Sequence, residues 1–385
     1  MWIFRSVLFV FFVASFAYAQ ESGDRSVPRD VGVSETADIS EPSAAEIERA
    51  MNGDERSLAA LEAVKEGNDL WRSGEVEESS ASYQRAINLD PSNYSAQFNL
   101  GLTLLHSKQY RRAMLAFTEA VRLKPESSLA WQSLGFAHYF RKHYNEAVEA
   151  YRTAQQLAPK DAAASSNLGF AYLYVNRFQD AIDWFRNALQ LDPRFPYAVN
   201  GLCIAQALAK KPGDAVSACR RAAAGDPGSA VPRYFLGMAY MDLGNPEEAL
   251  GHFKRAARIE PRTPRIHVGL GFACLRLKRY EEALKHFEHA RKLNVKANNA
   301  LEGLGTAYAF LKDYKTAEMA FREALSINPD SPTARYNLAM VCLSRRNRDC
   351  ALSQYNHLKM MDHSLANALF TTIFRDRIVD ASKYK

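Results

Sequence analysis

Residues 98–125 read FNLGLTLLHSKQYRRAMLAFTEAVRLKP, and the fold turns on this stretch. Two apolar runs, spaced i, i+3, i+4 and i+7, flank the polar break Ser107-Lys108-Gln109. That spacing gathers apolar side chains on one face of a helix, so the stretch is two amphipathic helices and a short turn. Small residues on both, Gly101 on the first and Ala113 and Ala120 on the second, let the two axes approach closely. Pro125 then ends the second helix, because proline cannot donate to the helical ladder. One such hairpin cannot bury its own apolar face, whereas a stack of them can.

The same hairpin recurs along the chain. Prolines stand at 91, 125, 159, 193, 227 and 261, always 34 apart; Val295 and Pro329 fall on the next two beats. Gly67, Gly101, Gly135, Gly169, Cys203, Gly237, Gly271, Gly305 and Ala339 keep the same interval. So do the rings Tyr83, Phe117, Tyr151 and Phe185, then Cys219, then Phe253, Phe287, Phe321 and Tyr355. A fixed period of this length means stacked repeats. Each ring is placed to wedge between its own first helix and that of the next unit.

These positions resemble the tetratricopeptide repeat family over nine units, from about Ala60 to Asp362. The resemblance implies an all-α fold: a right-handed α-solenoid of stacked antiparallel helix pairs. The array is expected over residues 58–362, with residues 363–385 as a capping helix (Ser364–Val379) and tail. The last unit departs from the pattern, with Leu358 where a small residue is usual. The fifth departs most. It carries Cys203 for glycine, Cys219 for the ring, and Pro212 where Tyr110, Tyr144 and Phe178 open other second helices. Losing a buried ring costs a few kcal/mol, so this unit is the expected weak point unless something compensates.

The first twenty residues, MWIFRSVLFVFFVASFAYAQ, have one charge, a short apolar run and Ala-Tyr-Ala at 17–19. These are the zones of a secretory signal peptide, expected to be cleaved after Ala19, leaving no integral membrane span. Residues 20–57 hold ten acidic and four basic residues, a net of −6. This stretch reads as a disordered acidic tether, helical at most near Ala44–Met51. The whole chain is +6, so with Arg5 set aside the part from residue 58 onward is +11. A basic array favours acidic partners or anionic surfaces.

By the same resemblance, first helices line a concave groove. The residues expected to face it are Phe98, Leu102, Phe136, Tyr139, Phe140, Phe170, Leu173, Tyr174, Tyr197, Ile204, Tyr234, Met238, Met241, Phe272, Leu275, Phe310, Tyr336 and Met340. The position after the glycine is apolar in units two to seven, from Leu102 to Phe272, which reads as a continuous apolar track. Aromatics and methionine suit binding surfaces, so a protein or peptide ligand is expected, with a basic rim that includes Lys108, Arg111, Lys142 and Arg177. Some family members clamp acidic C-termini with two Asn and three cations. Here the matching residues are Val64, Asn68, Asn99, Leu129 and Ser133: both Asn are present and all three cations are missing. That cochaperone class is therefore not expected.

No Gly-rich phosphate loop, nucleophile elbow or His-Glu zinc motif occurs, so no catalysis and no cofactor are expected. Glu282, His286 and His289 share a helix face, read as solvated and without metal. An export signal argues against nucleic acid as a partner. In an oxidising compartment two disulfides are candidates, Cys342–Cys350 and Cys203–Cys219. The second pair is expected to sit about one helical turn off the closest facing positions. The resulting expectation is an exported, non-catalytic scaffold, periplasmic by resemblance, in an envelope-assembly or secretion complex. Self-association, or presentation of substrate to a separate envelope enzyme, stands as the alternative.

Overall fold

The computed structural model describes residues 39–52, 55–294 and 298–374. The expected signal peptide, the tether up to residue 38, Val295 and the tail from residue 375 lie outside the described residues. Among those described there are twenty helices and no strand. They fall into two compact units, divided between Ala209 and Lys210 within the fifth repeat.

The first unit holds α1 (Ala44–Asn52), α2 (Glu55–Ser73), α3 (Val76–Leu89), α4 (Tyr94–His106), α5 (Tyr110–Leu123), α6 (Ser128–Phe140), α7 (Tyr144–Leu157), α8 (Ala162–Tyr174), α9 (Phe178–Leu191) and α10 (Pro196–Leu208). The second holds α11 (Pro212–Gly225), α12 (Val231–Asp242), α13 (Pro246–Ile259), α14 (Pro264–Arg276), α15 (Tyr280–Leu293), α16 (Asn298–Phe310), α17 (Tyr314–Ile327), α18 (Pro332–Ser344), α19 (Arg348–Met361) and α20 (His363–Phe374). Within each unit successive helices pack in pairs, and each pair packs on the next.

The sequence sets where these helices start and stop. Asn93, Ser127, Asp161 and Ser331 accept from main-chain N–H groups of Ala96, Ala130, Ala163 and Ala334, which caps four first helices. First helices end at a residue in the left-handed region, again every 34 positions: Gly74, Lys108, Lys142, Asn176, Lys210, Gly244, Lys278, Lys312 and Arg346. That conformation reverses the chain between the two helices of a repeat. Glycine adopts it freely, but six of the nine residues are cations, which gain from the negative end of the helix they terminate.

The rings behave as their spacing predicts. A Cβ built on Gly169 would lie 2.8 Å from the Phe185 ring, and one on Gly201 of the next repeat 2.3 Å from it. Phe287 is held the same way between Gly271 and Gly303, at 2.5 and 2.4 Å. Each of these phenylalanines is fully buried, worth about 1.5–3 kcal/mol of apolar transfer. In intact repeats the glycine position points directly at the ring position: a Cβ built on Gly101 would lie 2.5 Å from Phe117, and one on Gly237 2.6 Å from Phe253.

The array ends differ from each other. At the C-terminal end α20 lays Ala366, Leu369 and Ile373 onto a cluster that includes Leu358 and Tyr336, covering the last repeat. At the N-terminal end the structure departs from the expected tether: residues 39–52 are folded against the first two repeats. Ser43 and Glu46 make a reciprocal cap that starts α1, with Ser43 N–H donating to Glu46 Oε2 (2.8 Å) and Glu46 N–H to Ser43 Oγ (3.3 Å).

Candidate peptide-binding groove

At repeats one and two the face lined by first helices is occupied by the chain itself. Ile39–Ser43 is non-helical and lies against α2 and α4, with Ile39 packed on their apolar cluster. Asn99 grips one residue of this segment at both main-chain groups. Ser40 N–H donates to Asn99 Oδ1 (2.7 Å), and Asn99 Nδ2 donates to Ser40 O (2.9 Å). A neighbouring strand would bond a peptide in the same way, without regard to its side chains. Asn68 fixes the clamp, because its Oδ1 accepts from Asn99 Nδ2 (2.9 Å) and from Tyr83 OH (2.8 Å). Both asparagines are fully buried, and a buried amide left without partners costs about 1–3 kcal/mol. Burial, partly offset by the nearby Arg72, raises the Tyr83 hydroxyl above its ordinary range, so it stays a donor.

Two carboxylates of the segment are held next to this clamp. Glu41 pairs with Arg72 and accepts from Asn68 Nδ2 (3.2 Å). Glu46 lies at the start of α4, where Ser95 N–H donates to Oε1 (3.0 Å) and Ser95 Oγ to Oε2 (2.9 Å). A carboxylate there also meets the positive end of the α4 dipole. Asn68 and Asn99 were legible in the sequence as candidate clamp residues. Arg72 and Ser95 were not, although Arg72 is four residues from Asn68 and so on the same helix face.

The expected apolar track divides into two classes. Phe98, Leu102, Phe170, Leu173, Ile204, Tyr234, Leu275, Tyr336 and Met340 are buried in packing. Phe170 meets Phe185 edge-on at 4.9 Å, and Tyr234 tilts against Phe253 at 5.7 Å. Phe136, Tyr139, Phe140, Tyr174, Tyr197, Met238, Met241, Phe272 and Phe310 remain half-buried. In the first unit some of these converge. Tyr110 stacks on Phe140 (4.6 Å) and Tyr144 on Tyr174 (5.4 Å), while Tyr139 meets Tyr174 at 4.5 Å and donates its hydroxyl at 2.5 Å. With Phe136 against Phe140 (4.7 Å), six half-buried rings run across α5 to α8. Lys108, Arg111, Lys142 and Arg177 are exposed in the same unit, as a basic rim requires.

The polar cluster of the second unit differs from its expected form. Cys274 Sγ, a Glu282 oxygen and a His286 nitrogen lie within 4.8 Å of one another, while His289 turns to His267, with ring centroids 4.2 Å apart. Glu282 is paired with Arg279 and, at 4.0 Å, with Lys254. Burial, reinforced by the Glu282 charge, pushes the Cys274 thiol up to about 11. Burial, then His267, holds His286 below its usual range. A cation entering there would have to deprotonate Cys274 and compete with Arg279 for Glu282. Cys342 and Cys350 are joined by a disulfide, with Cα atoms 5.9 Å apart across the turn of the last repeat.

Models of the tetratricopeptide repeat match residues 64–128, 128–161, 162–195 and 262–330, and a model described as anaphase-promoting complex, cyclosome, subunit 3 matches residues 209–290. No curated protein matches the chain. Among solved structures, the Cut9–Hcn1 hetero-tetramer of the APC/C aligns at 19% identity, covering 82% of this chain and 76% of that one, with a TM-score of 0.57. A tetratricopeptide repeat protein from Parabacteroides merdae aligns at 16% identity, covering 65% of this chain and 99% of its own, with a TM-score of 0.53. At these identities the structural likeness speaks for the fold alone. With helix pairs repeating every 34 residues and repeat models matching along the array, the chain belongs to the tetratricopeptide repeat family.

Proposed function

We propose that this protein is a non-catalytic scaffold that binds extended polypeptide on the face of its first helices. Arrays of this family mediate protein–protein interaction and typically carry no catalysis. The observation that carries the reading is the seated segment Ile39–Ser43: a main chain is gripped at both hydrogen-bonding groups by Asn99. Phe136, Tyr139, Phe140 and Tyr174, half-buried on the first helices α6 and α8, extend that face as apolar anchor points, and the exposed cations of the same unit suit an acidic ligand. The export signal read from residues 1–19 supports a location in the cell envelope or outside the cell, where an assembly or secretion complex is the fitting context. Among the described residues no helix is long and apolar enough to cross a membrane.

A peptide array probed with the full chain tests this reading. Phe136→Ala with Tyr174→Ala removes two half-buried rings of the face. Met319→Ala, on exposed α17 surface, is the control. The bound set should shrink with the ring pair and persist with the control. If both variants retain the same set, the face is not the binding surface.

A further inference from the structure

The segment Ile39–Glu46 makes contacts of a kind different from ordinary end-capping. A cap covers apolar surface. This segment adds main-chain capture by Asn99, Glu41 on Arg72 and Asn68, and Glu46 on the first turn of α4. The groups doing the holding all belong to the first two repeats. Three of them are not repeated: the positions one repeat further along from Asn68, Arg72 and Ser95 are Leu102, His106 and Leu129. They form a receptor set with three separate readings: one peptide unit, one carboxylate at a cation, and a second carboxylate five residues later at a helix start.

We propose that Ile39–Glu46 is an internal ligand of a dedicated peptide site, and that this site takes an external acidic peptide of the same pattern only by displacing it. The pattern is an apolar residue, a residue read through its main chain, an acidic residue, and a second acidic residue five positions on, as in Ile39, Ser40, Glu41 and Glu46. This inference rests on the polypeptide-binding reading above and gives the site its ligand class and its control. The local charges favour it: Glu41 lies on the Arg72 cation and Glu46 on the positive end of the α4 dipole. A tethered ligand acts at an effective concentration in the millimolar range. An external peptide of similar intrinsic affinity therefore binds with an apparent affinity scaled by the unoccupied fraction, weaker by about tenfold or more when the site is filled nine-tenths of the time or longer. Segment release, and not groove formation, is then the controlled step.

The test uses the full chain and a fluorescein-labelled peptide with the sequence of Ile39–Arg49, read by anisotropy. Glu41→Arg with Glu46→Arg places like charge on Arg72 and at the start of α4, loosening the internal segment while leaving the receptor residues intact. This variant should bind the peptide at least tenfold more tightly than the unaltered chain. Adding Asn99→Ala should return it to weak binding. Glu41→Arg alone changes an exposed side chain and keeps the test valid if the double variant folds poorly; it should tighten binding about threefold. Equal affinity for the unaltered and loosened chains overturns the proposal, as does binding that survives Asn99→Ala, or no binding by any of them. Such results with an intact ring-dependent peptide array sink this inference alone. A ring-independent array with the anisotropy pattern intact sinks the ring-face reading alone.

Discussion

Replacing Gly303 by alanine should destabilise the array, although the same change at Gly251 should stabilise it. Both glycines are helical, on α16 and α13, so both substitutions gain about 1 kcal/mol of helix propensity. The surroundings set the sign. A Cβ at Gly303 would lie 2.4 Å from two ring carbons of Phe287, roughly 1 Å inside ordinary contact. Phe287 has little room to retreat, because it is fully buried and packs so closely on Gly271 that a Cβ there too would lie 2.5 Å from the ring. Overpacking of this kind costs about 1–3 kcal/mol, so against the propensity gain the net loss at Gly303 is up to about 2 kcal/mol. At Gly251 nothing lies within 4 Å, and a gain of about 0.5–1 kcal/mol remains. Urea unfolding followed by far-UV circular dichroism gives both midpoints. Phe287→Leu in the Gly303→Ala background should recover about 1 kcal/mol relative to the sum of the single changes, since the shortened side chain makes room. If Gly303→Ala raises the midpoint as Gly251→Ala does, the ring-between-glycines account of repeat stacking is wrong.

Other outcomes follow from the same geometry. Lys142 holds φ at 63°, so Lys142→Gly should raise stability by about 0.5 kcal/mol, the relief of left-handed strain less the entropy of glycine; a lower midpoint refutes it. Reducing Cys342–Cys350, which closes a short loop, should cost about 2.5 kcal/mol, and Cys350→Ser should make stability insensitive to reductant. Unfolded without reductant, the protein should show a reactive thiol at Cys274 and none at Cys342 or Cys350; labelling of either of those two refutes the bond. In the folded protein Cys274 should stay unreactive towards a thiol reagent at pH 8. Its raised pKa stabilises the fold fully below the unfolded thiol's range near 9, and that contribution fades as pH climbs towards 11. Fast labelling of the native protein at pH 8 would contradict this.

Most of the fold was legible because a 34-residue beat fixes both helix type and neighbour. Gly101 and Phe117 predict a contact that the structure contains, and Pro125 predicts the end of α5 at Leu123. The binding face was less legible. Helical spacing gathers Phe98, Phe136 and Phe170 on first helices, but cannot divide them between inter-helix packing and exposure. That depends on the crossing of two helices, and it leaves Phe136 half-buried while Phe98 and Phe170 are spent in the core. The N-terminal segment was missed for a different reason. Composition reads residues 20–57 as one acidic stretch, and the Ser43-to-Glu46 capping signal within it is only four residues long. Asn68 and Asn99 were found by matching a carboxylate clamp, and Asn68 does meet the Glu41 carboxylate, but the partner of Asn99 is a main chain, which leaves no trace in side-chain spacing.

The central claim, that the first-helix face of repeats one and two holds an extended polypeptide backbone, is tested most directly by amide hydrogen exchange resolved along the full chain. Ser40 N–H is bonded to Asn99, and Ser95 N–H to Glu46. The account predicts slow exchange for fragments spanning residues 39–46 and 94–99 in the unaltered protein. Both should become faster together in Asn99→Ala, while fragments around Phe321 stay unchanged. Free-chain exchange rates across residues 39–46 in the unaltered protein would contradict the claim.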